Sequence, residues 1–307
     1  KSVKKGRNKN KMFKIVRKEE LAENIILMDI EAPRIANSAL PGQFLIIRMD
    51  DKGERIPLTI CDYDKKKGTV TIVVQAVGGS TKEMVNYNES DYFEDVVGPL
   101  GKPSELVHEN IDELKKKKLM FIAGGVGAAP VYPQLKWLNE NGIKADVIVG
   151  AKTKNLLIME KEMRAVSGDY YPSTDDGSYG YKGLVTNLLE DLVENQGKKY
   201  DEVIAIGPMI MMKFVSKLTK KLGIKTVVSL NMLMVDGTGM CGACRVTVGG
   251  ETKFACVDGP EFDGHLVNFE EAMKRQTMYK TEEGKALIEM QEKSEGHKCF
   301  VGLDGEK

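Results

Sequence analysis

The sequence predicts a multidomain α+β protein with an antiparallel β domain, a doubly wound parallel α/β domain and a small cysteine-bearing C-terminal subdomain. Three observations support this prediction. Residues 12–104 hold short β-branched runs, residues 105–231 alternate strand and helix patterns, and residues 232–280 hold three closely spaced cysteines. A chain of 307 residues, 42% of them hydrophobic, is long enough to bury more than one core.

Charge balance and cysteine usage limit the classes of partner. Lys plus Arg and Asp plus Glu both number 45, so no excess charge favours nucleic acid or an anionic membrane surface. The five cysteines do not form the even, dispersed set of a secreted disulfide framework, and no apolar run resembles a signal or membrane-spanning segment. We expect a cytoplasmic protein that binds neither nucleic acid nor membrane.

The two ends of the chain are predicted to lie outside the folded domains. Residues 1–11 hold six basic side chains and, apart from Val3, nothing apolar to bury, so we expect a disordered basic leader, with Met12 as a candidate start. Residues 281–307 are assigned to a C-terminal helix or tail.

The β domain is predicted from five β-branched runs separated by turn residues such as Pro41-Gly42. The runs are FKIVRKEEL, NIILMDIEA, GQFLIIRMD, RIPLTICDYD and GTVTIVVQAV. Strands at this spacing are typical of a barrel or a sandwich.

The α/β domain is predicted from strands that recur with helices between them. The strands are LMFIAGG, DVIVGAK, YYPSTDDG, EVIAIGP and TVVSL, and helices are expected over 130–139, 156–166, 184–193 and 209–222. Parallel strands need such crossover helices, so the pattern predicts a parallel sheet covered on both faces.

The turn AGGVGAAP, residues 123–130, follows the first of these strands. Gly124, Gly125 and Gly127 allow close approach of backbone amides, and Pro130 suits the first turn of a helix whose amino end attracts a diphosphate. The turn lacks the third glycine of the dinucleotide fingerprint, so a purely structural turn remains an alternative.

Two motifs in the β domain carry groups that suit an anionic ligand. RIPLT offers the guanidinium of Arg55 and the hydroxyl of Thr59, while VGGSTKEM resembles a helix start with free amides. Each motif alone also fits an ordinary turn or helix cap.

Three cysteines, Cys241, Cys244 and Cys256, follow the C-x2-C-x11-C spacing of a metal or iron–sulfur site, which needs a fourth ligand. The alternatives are a zinc site, unliganded structural thiols, or an iron–sulfur cluster completed by Cys61, Cys299 or a non-cysteine ligand.

Taken in order, the motifs resemble those of the ferredoxin–NADP reductase superfamily. They are GQF, RIPLT, GGST, GPLG, AGGVGAAP, GAKT, TDDGS, IGP and the cysteine loop. The chain is particularly similar to the branch that contains electron-transfer subunits of dihydroorotate dehydrogenase and small subunits of NADH-dependent ferredoxin:NADP oxidoreductase.

This resemblance implies cofactors and the residues that bind them. Residues 12–104 would form an FAD-binding β-barrel, 105–231 an NAD(P)-binding domain and 232–280 a [2Fe–2S] subdomain. FAD would contact Arg55, Pro57, Leu58, Thr59, Gly79, Ser80 and Thr81. NAD(P) would contact Gly124, Gly125, Gly127, Ala151, Lys152, Asp175, Gly207 and Pro208.

The fourth cluster ligand is predicted to be Asp236. The plant-type arrangement is C-x4-C-x2-C…C, and Asp236 stands where its first cysteine would be. A carboxylate keeps four anionic ligands while replacing one soft sulfur by oxygen. Within the resemblance, this aspartate favours the transhydrogenase subunit over the dihydroorotate enzyme's subunit.

The expected function is electron transfer between NAD(H), FAD and a [2Fe–2S] cluster, because a flavin can link a two-electron carrier to a one-electron carrier. The outlet would be a larger flavin and iron–sulfur partner subunit in a heterodimer or higher assembly that carries out electron bifurcation. The resemblance favours NADH over NADPH. From the residues alone, Lys152 and Lys154 could bind the 2′-phosphate of NADPH. Asp175 and Asp176 could repel that phosphate.

Other functions remain open from the sequence. They are a dihydroorotate dehydrogenase electron-transfer subunit, a sulfide dehydrogenase or glutamate-synthase-associated subunit, a self-sufficient reductase, and a zinc-stabilised regulatory module that binds nucleotide.

Overall fold

A computed structural model describes residues 12–279, 281–282 and 284–285. The predicted basic leader, most of the predicted C-terminal tail, and Cys299 lie outside these residues. Among the described helices, none combines the length and the apolar character that crossing a membrane requires.

The first domain consists of two antiparallel sheets. One has the order β5-β6-β2-β1-β7, with β1 Phe13–Ala22, β2 Ile25–Glu31, β5 Asp62–Asp64, β6 Thr69–Gln75 and β7 Tyr92–Phe93. The other has the order β4-β3-β8, with β3 Phe44–Arg48, β4 Ile56–Thr59 and β8 Asp95–Leu100. Both sheets enclose a core that includes Ile15, Met28, Leu45, Ile47, Ile72 and Phe93.

The run RIPLTICDYD was predicted as one strand and is two. Its first part, β4, pairs with β3, whereas its second part, β5, pairs with β6 of the other sheet, so the chain changes sheets at Ile60 and Cys61. Pro57 is tolerated because β4 is an edge strand of its sheet and needs no outward N–H.

Three short helices belong to this domain and the following linker. They are α1 Pro33–Ser38, α2 Gly79–Met84 and α3 Ile111–Leu114. The helix start predicted in VGGSTKEM is confirmed as α2. Helix α1 was not predicted, although Pro33 occupies its first position, where proline is favoured.

The second domain is built on a sheet of order β12-β11-β10-β9-β13-β14-β17. Its strands are β9 Leu119–Gly124, β10 Asp146–Ala151, β11 Tyr170–Thr174, β12 Tyr181–Lys182, β13 Glu202–Ile206, β14 Lys225–Ser229 and β17 Glu261–Asp263. The first six run parallel, while β17 is antiparallel to β14. The strand order reverses between β9 and β13, which opens a crevice at their carboxyl ends.

Helices cover both faces of this sheet. α4 Ala128–Glu140 and α5 Glu160–Val166 pack on the face of Phe121 and Ile204. α6 Val185–Glu190 and α7 Met209–Leu222 pack on the face of Met120 and Ile122. The predicted helix over 209–222 is confirmed at both ends, and Gly223, with φ of 69°, terminates it in the left-handed conformation.

One other helix prediction was wrong at its start. The helix expected over 156–166 begins only at Glu160, because Ile158 and Met159 are buried and Met159 takes a left-handed φ of 57°. The helix expected over 184–193 is confirmed, since α6 begins at Val185 and continues beyond Glu190 into a wider helical turn over Asp191–Asn195.

The C-terminal part consists of a hairpin and a helix. β15 Arg245–Val248 and β16 Glu251–Phe254 pair across a Gly249-Gly250 turn, and α8 Phe269–Gln276 follows β17.

Two hydrophobic cores cross the boundaries between these parts. One joins Ile25, Leu27 and Val73 of the first domain to Val131 and Leu135 of α4. The other joins Phe44 and Ile46 of β3 to Met232, Cys244 and Cys256 near the C-terminus. The three parts therefore share buried surface.

Candidate functional site

The glycine-rich turn after β9 is packed tightly against the turn after β13. A Cβ on Gly127 would lie 2.2 Å from the carbonyl oxygen of Ile206, and one on Gly207 would lie 3.0 Å from the backbone nitrogen of Gly124. A Cβ on Gly124 would lie 2.5 Å from Sδ of Met211. Gly127 and Gly207 are required because the two turns touch through their backbones, whereas a side chain at Gly124 would collide with the side chain of Met211.

Gly125 differs from its neighbours. It has a φ of 55°, and a Cβ built on it would meet nothing within 4 Å. It lies at the open crevice, just before the amino end of α4. Exposed amides at such a position, where the strand order switches, are suited to a dinucleotide's diphosphate. The residues predicted for NAD(P) at Gly124, Gly125, Gly127 and Gly207-Pro208 are thus brought together.

The loops after β10 and β11 lie side by side. The amide of Asp175 donates to the carbonyl of Ala151 at 3.1 Å, and that of Asp176 donates to the carbonyl of Lys152 at 3.3 Å. Asp176 also accepts from the amide and hydroxyl of Ser178, which lowers the pKa of its carboxyl. Lys152 and Asp175 are exposed beside each other.

The two predicted FAD motifs are joined by one hydrogen bond. The hydroxyl of Ser80, in the first turn of α2, donates to the carboxylate of Glu54, which immediately precedes Arg55. Arg55 is exposed, and Pro57, Leu58 and Thr59 lie half-buried on β4. Glu54 was not singled out from the sequence, and its charge gives no signal of this contact.

Thr81 shapes the turn that precedes α2. Its hydroxyl oxygen accepts from the amides of Val77 and Gly78, each at 3.0 Å. Contact of Gly79, Ser80 and Thr81 with a diphosphate stays a prediction.

Asp236 lies in the loop between β14 and β15 and organises that loop. One carboxylate oxygen accepts from the amide of Thr238 at 2.8 Å, and the other accepts from that of Cys241 at 2.9 Å. The bond from Thr238 is the main reason why the pKa of Asp236 is below its ordinary value. Two of the roughly four lone-pair sites of a carboxylate are thereby used, which leaves sites for a metal.

Two of the three loop cysteines are in contact. Cys244 and Cys256 are buried, and the amide of Cys256 lies 3.4 Å from Sγ of Cys244. Burial and the contact with Cys244 raise the pKa of the Cys256 thiol to about 12. Cys241 is exposed and is linked to Asp236 through its amide.

The donor set of this loop fits an iron–sulfur cluster. It offers three thiols and a carboxylate, on a turn where Gly237, Gly239 and Gly242 have positive φ and can direct amides inwards. Among the described residues, no three His, Cys, Asp or Glu side chains surround a position for a single metal ion.

Cys61 is placed elsewhere. It is fully buried in the core between the first domain and α4, with its Sγ 3.7 Å from Sδ of Met159. Burial raises the pKa of its thiol. The structure does not bring Cys61 to the cysteine loop.

The cysteine loop rests on the sheet that carries the predicted flavin strand. A Cβ on Gly237 would lie 2.8 Å from Cδ1 of Ile46 and from Cδ1 of Leu100. Ile46 on β3 is paired with Pro57 on β4. The sites predicted for the cluster and for the flavin are therefore adjacent.

Helix α4, which begins directly after the glycine-rich turn, bonds to the first domain and to strand β17. Nζ of Lys136 lies 2.7 Å from Oδ1 of Asp62 in the first domain. Nε2 of Gln134 donates to the carboxylate of Glu261 on β17 at 2.7 Å. Burial raises the pKa of Glu261 to about 7. These residues were missed because contacts between distant segments leave no local pattern.

Two stretches of the chain match known families. Residues 231–268 match the iron–sulfur cluster binding domain of dihydroorotate dehydrogenase B, and residues 121–217 match the oxidoreductase NAD-binding domain.

Relatives match over nearly the whole chain. A Clostridium beijerinckii protein described only as uncharacterized, in the adh 3' region, is 64% identical over 96% of this chain and 100% of its own length. A Thermotoga maritima protein described as a dihydroorotate dehydrogenase B (NAD(+)) electron transfer subunit homolog is 46% identical over 88% of this chain and 92% of its own.

Solved structures agree in fold. A structure reported for flavin-based electron bifurcation, of the NADH-dependent reduced ferredoxin-NADP oxidoreductase, has a TM-score of 0.81 and 41% identity over 91% of this chain and 98% of that chain. The Amycolatopsis cytochrome P450 reductase GcoB has a TM-score of 0.57 at 16% identity, covering 68% of this chain and 65% of its own, and shows the fold alone. The chain belongs to the family of dihydroorotate dehydrogenase B electron transfer subunits and their homologues, oxidoreductases with an NAD-binding domain and an iron–sulfur domain on a ferredoxin–NADP reductase fold.

Proposed function

We propose that this chain is the small electron-transfer subunit of an NADH-dependent ferredoxin:NADP oxidoreductase. It would pass electrons between NAD(H), FAD and a [2Fe–2S] cluster, to or from a larger flavin and iron–sulfur subunit that takes part in electron bifurcation. The likeness to the bifurcation structure, at 41% identity over 98% of that chain, supports this choice.

One observation carries the proposal. The loop of Asp236 and the cysteines packs through Gly237 on Ile46 and Leu100, beside the strand predicted to line the flavin. An electron relay needs its centres close together, and a merely structural metal site does not need a flavin strand as its neighbour.

The nucleotide would be held at the crevice between β9 and β13. Amides at Gly125 and at the start of α4 would bind its diphosphate. Gly127 and Gly207 let the two turns pack closely, because neither carries a side chain. Lys152 and Asp175 would contact the adenosine ribose, since they lie at the ends of the next two strands.

The flavin would lie along β4 of a barrel-like first domain. Arg55 supplies a positive charge and a fork of donors, and Thr59 supplies a hydroxyl. The amino end of α2, with Gly79, Ser80 and Thr81, would face its diphosphate. Bound FAD exchanges a hydride with nicotinamide and single electrons with an iron–sulfur cluster.

The cluster would be held by Asp236, Cys241, Cys244 and Cys256. Three thiolates and one carboxylate are four anionic ligands of the kind that iron accepts. The Thr238 and Cys241 amides orient the carboxylate, and Ile46 and Leu100 pack against the loop at Gly237. The free thiols fit a reducing compartment such as the cytoplasm.

A second candidate is the electron-transfer subunit of a dihydroorotate dehydrogenase. The Thermotoga relative, 46% identical, is described as a homologue of that subunit. The two candidates differ in the partner subunit, so identifying the partner that copurifies with the chain distinguishes between them.

The test is an anaerobic titration of the purified chain with NADH and, separately, with NADPH. We expect NADH to bleach the flavin and then to produce the paramagnetic signal of a reduced cluster, with NADPH much less effective. A tagged chain is expected to copurify with a large flavin and iron–sulfur subunit. A colourless protein without iron would refute the proposal, and equal bleaching by both nucleotides would remove the preference for NADH.

A further inference from the structure

Helix α8 contacts both ends of the loop that carries the predicted cluster ligands. Nε2 of Gln276 donates to the backbone carbonyl of Asn231 at 2.9 Å and lies 3.1 Å from its side-chain oxygen. Nη2 of Arg275 donates to the carbonyl of Ala243 at 3.1 Å. The helix begins at Phe269, just beyond the residues that match the iron–sulfur domain family.

Arg275 brings a cation into the turn between two of the predicted ligands. Ala243 lies between Cys241 and Cys244, so the guanidinium is fixed at the backbone of the C-x2-C segment. The residue is half-buried, and its Nε is enclosed without a hydrogen-bond partner among the described residues. A buried donor that no protein group satisfies is unfavourable unless another interaction compensates for it.

The charge of the proposed centre explains why a cation belongs there. Four anionic ligands make the centre negative, and each added electron makes it more negative. A nearby positive charge stabilises the reduced form more than the oxidised form and so raises the reduction potential. Half-burial weakens screening by water and salt, which distinguishes Arg275 from the exposed Lys274 beside it.

A purely structural role for Arg275 would predict a different effect of its replacement on the reduction potential. Basic residues in the last turn of a helix also complement its dipole, and Lys274 and Arg275 both occupy that turn of α8. If the dipole were the reason for Arg275, the two residues would be equivalent, and neither would affect the potential of a redox centre.

We infer that Arg275 is a positioning residue for the iron–sulfur centre, fixing the C-x2-C turn through Ala243 and raising the reduction potential of the bound cluster. The inference rests on the proposed function, because it requires a cluster in this loop.

The test compares four variants of the full chain with the wild-type protein. Arg275→Gln removes the charge, Arg275→Lys keeps it, Lys274→Gln removes an exposed charge from the same turn, and Gln276→Ala loosens the other end of the loop without a charge change. Iron and FAD contents, the paramagnetic spectrum of the reduced cluster and its midpoint potential are measured for each.

We expect Arg275→Gln to shift the midpoint to a more negative potential. At the wild-type midpoint its ratio of reduced to oxidised cluster should fall severalfold, where a tenfold fall corresponds to about 59 mV for a one-electron couple. Arg275→Lys keeps the charge, Lys274→Gln removes a solvated charge, and Gln276→Ala changes no charge, so each should keep that ratio within about twofold of wild type.

Several outcomes would overturn the inference. They are an unchanged potential in Arg275→Gln, an equal shift in Lys274→Gln, or an equal shift in Gln276→Ala. If Arg275→Gln binds no iron, Arg275→Lys decides, and its failure to keep both iron and the wild-type potential refutes the role of the charge. A wild-type protein without a cluster signal would instead refute the proposed function.

Discussion

Replacing Glu261 by Gln should make the protein more stable above neutral pH. The carboxylate of Glu261 accepts from Gln134 of α4, and Ser104 of the linker also bonds to it. Burial nevertheless dominates and raises its pKa from 4.5 to about 7, helped by repulsion from Glu105 and Glu202. A glutamine keeps an acceptor oxygen for Gln134 and cannot ionise.

The sign and size of the effect follow from proton linkage. A carboxyl whose pKa is higher in the folded state binds its proton more tightly there, so folding is favoured at low pH and this advantage is lost as pH rises from 4.5 to about 7. Each pH unit in this window corresponds to about 1.36 kcal/mol, so the loss reaches roughly 2–4 kcal/mol by pH 8. The variant and wild-type free energies of unfolding should agree near pH 4.5 and diverge by that amount above pH 7.

The assay is urea unfolding at several pH values, followed by the fluorescence of Trp137, the single tryptophan, which lies on α4. The exposed Glu23, in the turn between β1 and β2, replaced by Gln, is the control and should leave the pH profile nearly unchanged, since solvated carboxylates change stability little. A Glu261→Gln protein with the wild-type pH profile, or one destabilised more at pH 8 than at pH 5, would show that the pKa of Glu261 is not raised in the folded protein.

Three further predictions concern the proposed sites. Gly127→Ala should impair NADH binding while FAD stays bound, because its Cβ would lie 2.2 Å from the Ile206 carbonyl and such overpacking costs roughly 1–3 kcal/mol; unchanged flavin reduction at limiting NADH would contradict this. Arg55→Ala should weaken FAD binding by roughly 1.5–3 kcal/mol, as a lost charge-assisted hydrogen bond does, and equilibrium dialysis showing wild-type affinity would argue against β4 as the flavin strand. Asp236→Ala should give a labile or absent cluster with normal NADH-driven flavin bleaching, whereas Asp236→Cys should keep a cluster with an altered paramagnetic spectrum. Full iron content and an unaltered spectrum in Asp236→Ala would show that Asp236 is not the fourth ligand.

The parts of the fold that could be predicted are those whose signals are local. The strands of the parallel sheet are continuous apolar runs, and α7 is bounded by Pro208 and by Gly223, which takes the left-handed conformation that a helix end favours. The helix start at Gly79 and the glycine turn after β9 were likewise marked by their own residues.

The parts that could not be predicted depend on contacts between distant segments. Cys61 follows a continuous β pattern, yet the strand breaks there because its two halves pair with different sheets. The start of α5 is delayed because Met159 is drawn into the core beside Cys61, not because of any helix-breaking residue. Arg275 and Glu261 act on segments 32 and 127 residues away in sequence, and nothing near them indicates that.

The core shared by the first domain and α4 has a practical consequence for dividing this chain. Ile25, Leu27 and Val73 pack in one cluster with Val131 and Leu135, so a cut at residue 104 would leave an apolar face open to water on both fragments. Each half expressed alone is therefore expected to aggregate, although the sequence pattern predicts separate domains. Transplanting the nucleotide-binding half onto another flavin domain would require that domain to offer a matching apolar face, in addition to a suitable flavin site.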